Sequence, residues 1–380
     1  MGLMAEMAGV PDGIFPSQWL QKALAEGIIH SRKYRIPEES VQPASVDLRL
    51  GERAYRLRCS FLPETQTVEE KLDDFAMGEI DLRDGAILER NRPYLIPLIE
   101  ELRLPPGLRA KTNPRSSTGR LDIFTRVITD RSHKFDEIAA GYEGKLYLEV
   151  VSRSFTIKVH TESSLNQVRL VTGVARCSDE DILLYHRGAP ILFADGSPVP
   201  EEKLSLDEGL FLSLDLSGDR IGAVGYRAKR NSRLLDLSLI RHHAPADFWE
   251  PVFTEPGRRL VLEPEEFYLL LSSEAVSIPP TFAAEMNPYE PTSGELRTHY
   301  AGFFDPGFGY SEIGAVRGTR AVLEVRAHDV PFMVEHGQRV CKLGFESMLE
   351  RPMILYGRDI GSSYQQQELT LSKHFKQRSE

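Results

Sequence analysis

"ILERNRPYLIPLIEELRLPPGLRAKTNP", residues 87–114, occurs a second time in this chain in altered form. Shifted by 174 positions, it lies without a gap over "VLEPEEFYLLLSSEAVSIPPTFAAEMNP", residues 261–288. Leu88, Glu89, Tyr94, Leu95, Glu100, Pro105, Pro106, Ala110, Asn113 and Pro114 recur as Leu262, Glu263, Tyr268, Leu269, Glu274, Pro279, Pro280, Ala284, Asn287 and Pro288. Amphipathic strands agree by chance at a few apolar positions. A doubled Pro-Pro and an Asn-Pro at one shift do not arise that way, and a fixed period marks a duplicated structural unit. Upstream, "SVDLRLGER" (45–53) echoes "SLDLSGDR" (213–220); downstream, "LYLEVV" around Glu149 echoes "AVLEVR" around Glu324.

Within each copy, polar and apolar residues alternate in short runs broken by Pro and Gly. That pattern predicts an all-β protein, two tandem repeats each folded as a β-barrel or jelly roll. One helix precedes the first repeat: "PSQWLQKALAEGII" (16–29) places Trp19, Leu20, Ala23 and Leu24 on one face, with Ser17 as its N-cap. The expected organisation is a tail at 1–15, a first repeat at 16–195 and a second at 204–380, joined near "ADGSPVPEEK" (194–203).

At 380 residues the chain has room for about two domains. A net charge of −10 argues against broad nucleic-acid binding, but leaves room for a local basic cluster holding a small anion. No apolar run approaches the ~20 residues that cross a bilayer. The start, "MGLMAEMAGVPDG", lacks a basic segment followed by an apolar core, so a cytoplasmic protein is expected. Cys59, Cys177 and Cys341 form no C-x-x-C pair, which speaks against a disulfide framework or a structural zinc site.

The copies differ in one place that matters. After Asn113-Pro114 the first reads Arg115-Ser116-Ser117-Thr118-Gly119-Arg120; after Asn287-Pro288 the second reads Tyr289-Glu290-Pro291-Thr292-Ser293-Gly294. Two guanidinium forks and a row of hydroxyls suit an anion with many oxygens. The scaffold is duplicated and the anion cluster is not, so the first copy is expected to carry the site. Glu149, amid apolar neighbours in "GKLYLEVV", is the candidate proton carrier, because burial favours a carboxyl that keeps its proton.

"RSSTGR" followed by an alternating strand and then "GYEGKLYLEV" resembles the signature of the dCTP deaminases of the dUTPase-like superfamily, in a two-domain branch. The resemblance implies hydrolytic deamination of dCTP to dUTP and ammonia, feeding dUMP and dTTP synthesis. It makes Glu149 the general acid/base, with Ser116 and Arg120 reaching the reacting water. Arg115, Ser116, Ser117 and Arg120 would bind the triphosphate. Thr129 and Arg131 would line the base pocket and a subunit boundary, Asp136 would stand in for the aspartate of the family's Asp-Pro-Gly-aromatic turn, and Tyr356 and Gln367 would cover the nucleotide. Mg2+ enters only through the triphosphate, and the sites lie in a homo-oligomer with threefold-related interfaces.

Zinc deaminases combine His-x-Glu with Pro-Cys-x-x-Cys; that two-part signature is missing here. The first copy departs from the family in reading "DRSHKFDEIAAGYEG" where the Asp-Pro-Gly-aromatic turn belongs, whereas the second has "DPGF" (305–308), and Ser363 stands where the tail has a lysine. Two alternatives remain. A dUTPase, alone or combined with deamination, would use an aspartate where this chain presents a glutamate, beside Tyr142. A non-catalytic nucleotide-binding oligomer would have little use for Glu149.

Overall fold

Antiparallel strands dominate the computed structural model, which describes residues 11–288, 296–298, 302–311, 318–327, 329–360 and 369–376. Contacts gather the chain into two units. One comprises residues 1–175, 232–243 and 348–353, and the other 176–231, 244–347 and 354–380. The expected joint at 194–203 falls inside the second unit. There Asp195 and Gly196, both at positive φ, turn a hairpin between Leu192–Ala194 and Ser197–Pro198. Leu192–Ala194 also pairs with Phe267–Val276, and Ile182, Ile191 and Leu192 enter the second unit's apolar core. An Asp-Gly hairpin reads like a linker because both need polar, permissive residues.

In the first unit, Ser164–Thr172 pairs with Leu108–Pro114, Val46–Arg49 and the short strand Gly13–Ile14. A second sheet runs Ala76–Asp81, Arg53–Leu57, Tyr94–Arg103, Glu143–Ser152, Ile123–Ile128. Neither sheet returns to its first strand, so the barrel expected from the alternation does not close, although the all-β class holds. The segment 232–243 adds Leu235–Asp236 in parallel beside Ile157–Val159.

The duplication holds at the level of single hydrogen bonds. Glu149 lies opposite Leu95, and Glu324 lies opposite Leu269 in the matching strands. The Tyr94 hydroxyl accepts from the Glu89 N–H at 3.1 Å, and the Tyr268 hydroxyl from the Glu263 N–H at 3.1 Å. Glu100, fully buried, accepts from the backbone N–H of Arg49 at 2.6 Å and from its Nε at 2.7 Å. Glu274 accepts from the backbone N–H of Ser213 at 2.8 Å and from its hydroxyl at 2.7 Å. Arg49 and Ser213 are therefore equivalent. The 45–53 and 213–220 segments as matched by sequence are four residues out of step. An even slip preserves a period of two, so alternation alone does not reveal it.

The first helix spans Ser17–Ala25, capped from outside by Pro16, with Ser17 buried as its first helical residue instead of serving as the cap. Trp19, Leu20 and Ala23 are buried as the pattern requires, and Leu24 is half-buried. Gly27, at φ +72°, ends it: the Ile28 N–H reaches the Ala23 carbonyl at 2.8 Å, closing a left-handed C-terminal cap. Helices at Val68–Phe75 and Asp179–Gly188 each begin with a reciprocal capping box, Thr67 with Glu70 and Ser178 with Asp181. None of the described helices is long and apolar enough to cross a membrane.

The Val68–Phe75 helix is tied down by carboxylates. Lys145 donates to Glu69 at 2.6 Å, and the Thr67 N–H donates to Glu70 at 2.7 Å. Chiefly the Lys145 bond holds Glu69 below its ordinary range, and chiefly the Thr67 N–H does so for Glu70. A carboxylate depressed in the folded state stabilises above its unfolded titration range, and that contribution is lost as the pH falls through it. Acidification should therefore reduce amide-exchange protection in 68–75 before it does in 94–103. Equal loss in both segments would refute local control by these two carboxylates.

Candidate active site

The strand Glu143–Ser152 runs between Tyr94–Arg103 and Ile123–Ile128 and carries Glu149 at its centre. Leu95 lies opposite Glu149 on one side and Arg126 on the other, so the three share a face of the sheet. Leu95 and Tyr147 belong there to a cluster with Leu57, Phe61, Val68, Leu72 and Ile128. Under that cover Glu149 is 0% exposed. Its carboxylate is paired: Arg126 donates to Oε1 through Nη2 at 2.5 Å and Nε at 3.1 Å. Oε2 is buried and takes no hydrogen bond from any described residue. A buried carboxylate with one oxygen held and one free suits proton exchange with a bound molecule.

Arg126 was not among the residues singled out by sequence. It sits in "LDIFTRV" as one polar member of an alternating strand, a common solvated position. Only the register with a strand 23 residues on makes it a partner of Glu149.

The Arg115–Arg120 stretch follows the strand Leu108–Pro114 and folds as a single helical turn, Ser116–Gly119. Gly119 N–H bonds the Arg115 carbonyl at 3.0 Å, and Arg120 N–H the Ser116 carbonyl at 3.2 Å. Arg115 forms an ion pair with Asp47, itself buried in the strand Val46–Arg49. Ser117 and Arg120 are buried, and Ser116 is half-buried. Among the described residues of one chain, no member of this turn bonds the Glu149 carboxylate; Arg126 does. Arg115 and Glu149 thus each have a partner of their own, Asp47 and Arg126.

Asp136, at φ +62°, bridges two strands: its Oδ1 accepts from the Thr112 hydroxyl at 2.7 Å and the Val127 N–H at 2.8 Å. It holds the turn leading towards the glutamate strand. Thr129 is buried just beyond the strand Ile123–Ile128, whereas Arg131 is exposed at φ +57°, its N–H bonded to the Gln66 carbonyl at 2.9 Å.

Tyr356 belongs to the second unit, half-buried with its ring 5.7 Å from that of Phe308 in the "DPGF" turn. Gly307 in that turn, at φ +102°, is a glycine for cause: a Cβ there would come within 2.8 Å of the Tyr356 backbone. Gln367 lies outside the described residues.

His160-Thr161-Glu162 does spell the first half of the zinc-deaminase signature, but Glu162 is bonded to Arg49 at 2.7 Å and no Pro-Cys-x-x-Cys accompanies it. Among the described residues, no group of three or more His, Cys, Asp or Glu side chains could hold a metal ion.

Comparison with known proteins places this geometry. Residues 11–174 match the 2'-deoxycytidine 5'-triphosphate deaminase (DCD) N-terminal domain, and residues 180–375 match the C-terminal domain of the same name. The crystal structure of 2'-deoxycytidine 5'-triphosphate deaminase from Agrobacterium tumefaciens superposes with a TM-score of 0.85 at 45% identity, covering 92% of this chain and 99% of that one. The "dCTP deaminase, dUMP-forming" of Sulfurihydrogenibium sp. (strain YO3AOP1) is 28% identical over 152 residues, 39% of this chain and 77% of the relative. The dCTP deaminase of Acidianus ambivalens is 30% identical over 125 residues, 33% of this chain and 65% of the relative. With both halves matched in order, the chain belongs to the 2'-deoxycytidine 5'-triphosphate deaminase family.

Proposed function

We propose that the chain deaminates dCTP hydrolytically, dCTP + H2O → dUTP + NH3, without zinc and with Glu149 as the proton shuttle. The observation that carries this reading is the buried Glu149 carboxylate, one oxygen held by Arg126 and the other unpartnered among the described residues. The carboxylate takes a proton from water as the oxygen attacks C4 of cytosine and passes it to N3. The tetrahedral C4 then carries OH and NH2. A second pass moves the hydroxyl proton to the amino group, the C4–N bond breaks, ammonia leaves and C4=O remains. One group can serve each step because it is alternately base and acid.

Ser116, Ser117, Arg115 and Arg120 bind the triphosphate in this reading, and Ser116 and Arg120 orient the water. Their support is the anion-suited donor set of the turn and its absence from the second copy. Asp136, Thr129, Arg131, Tyr356 and Gln367 are assigned to substrate binding by family resemblance. A homo-oligomer with threefold-related sites is assigned by family resemblance as well. Mg2+ travels on the triphosphate in this reading, since three linked phosphates carry more charge than two arginines neutralise. Three unpaired cysteines accord with a cytoplasmic setting.

Product analysis tests the reaction. Purified protein with dCTP and Mg2+ should release one ammonia per dUTP, with the triphosphate intact. Pyrophosphate appearing with dUMP would replace this reading with a dUMP-forming one, and nucleotide binding without any product would leave a non-catalytic protein.

A further inference from the structure

The guanidinium of Arg126 is held on several sides. Its Cζ lies 3.8 Å from the ring centroid of Phe135 and 4.7 Å from that of Phe124. Nη2 also donates to the Ser60 hydroxyl at 2.9 Å. Both of its bonds to Glu149 go to the same oxygen, Oε1. A fork gripping a carboxylate usually spans both oxygens; here the strand register sets it to one side and Oε2 is spared. The side chain is only 26% exposed, so water screens the pair weakly.

We propose that Arg126 is a positioning residue for the deamination: clamped by Phe124, Phe135 and Ser60, it fixes Oε1 of Glu149 and leaves Oε2 as the oxygen that exchanges protons with water and cytosine. This rests on Glu149 being the proton shuttle and goes beyond it, since it assigns separate tasks to the two oxygens and names the group that separates them. A shuttle free to rotate would present either oxygen at varying angles, and proton transfer needs fixed geometry. Other charged groups lie on the elements packed near this face. Glu69 bonds Lys145 and the Tyr147 hydroxyl, while Arg58 and Lys71 lie over the Phe75 ring. His133 and Lys134 sit on the loop that carries Phe135, with Lys134 exposed at the surface.

The test uses the full chain with Arg126→Gln, Arg126→Lys and Glu149→Gln, each measured for dCTP binding by calorimetry, ammonia release and thermal stability. Arg126→Gln should lower kcat by about 100-fold with KM changed less than about threefold, the pattern of a group needed for the chemical step and not for binding. Arg126→Lys keeps the charge without the fork, so it should recover about a tenth of the wild-type rate. A merely structural arginine would lower stability and reduce binding and turnover together; that result, or a kcat unchanged in Arg126→Gln while Glu149→Gln is inactive, overturns the positioning role and leaves the shuttle standing. Turnover by Glu149→Gln would overturn the shuttle itself. If Arg126→Gln fails to fold, the lysine variant decides: wild-type kcat there refutes the need for a two-pronged grip.

Discussion

Glu149→Gln should leave dCTP bound almost as in the wild type and reduce ammonia release by about 10⁴-fold, the upper end for removing a general acid/base. Glutamine has nearly the same shape, and its carbonyl still accepts from Arg126. Its place in the sheet between Leu95 and Arg126 is preserved. What it lacks is the capacity to take up and give back a proton, which the proposed sequence requires at every stage. The comparison to make is between calorimetric affinity and ammonia released under saturating dCTP. Turnover within tenfold of wild type would remove Glu149 from the chemistry, and parallel loss of binding and turnover would assign it to the structure.

The second large effect concerns stability. Arg49→Met should destabilise the first unit by about 3 kcal/mol, because removing one partner strands a buried charge. Glu100 is fully buried, and its carboxylate would keep the backbone N–H of residue 49 but lose the guanidinium. Burial already pushes Glu100 above the ordinary carboxylate range, with the Arg49 bonds acting against that shift. Glu162, the other carboxylate on Arg49, is half exposed and returns to water at little cost. Adding Glu100→Gln to Arg49→Met should recover about half of the loss or more, since an uncharged amide still accepts from that N–H. Urea unfolding of the wild type, Arg49→Met and the double variant measures this. A loss under about 1 kcal/mol would show that the site opens to water and that the buried pair is not what holds it. The equivalent Glu274 avoids the problem by being half-buried and bonded to a serine, so the second copy should tolerate Glu274→Gln without such a deficit.

The two copies also show which features a sequence reading recovers. Tyr94 and Tyr268, Glu100 and Glu274, Glu149 and Glu324 could all be paired by sequence, and each pair occupies matching positions in the sheets. Val68–Phe75 and Asp179–Gly188 do not stand out from the alternating pattern, although Thr67 with Glu70 and Ser178 with Asp181 spell their starts. Both are short, and a strong β context outweighs a single capping signal.

Sequence by itself determined the duplicated all-β scaffold and the first copy as bearer of the arginine turn, and it singled out Glu149 as the candidate carboxylate. Those features are periodic or local: a side-chain alternation of two, a doubled proline, a cluster within six residues. Tertiary structure alone decided that Glu149 faces Arg126, that Arg115 faces Asp47, and that the first strands of the copies match at Arg49 and Ser213. The reason is physical. Which residues meet across a sheet depends on hydrogen-bond register, and register is set by loops and bulges whose lengths the alternating pattern does not record.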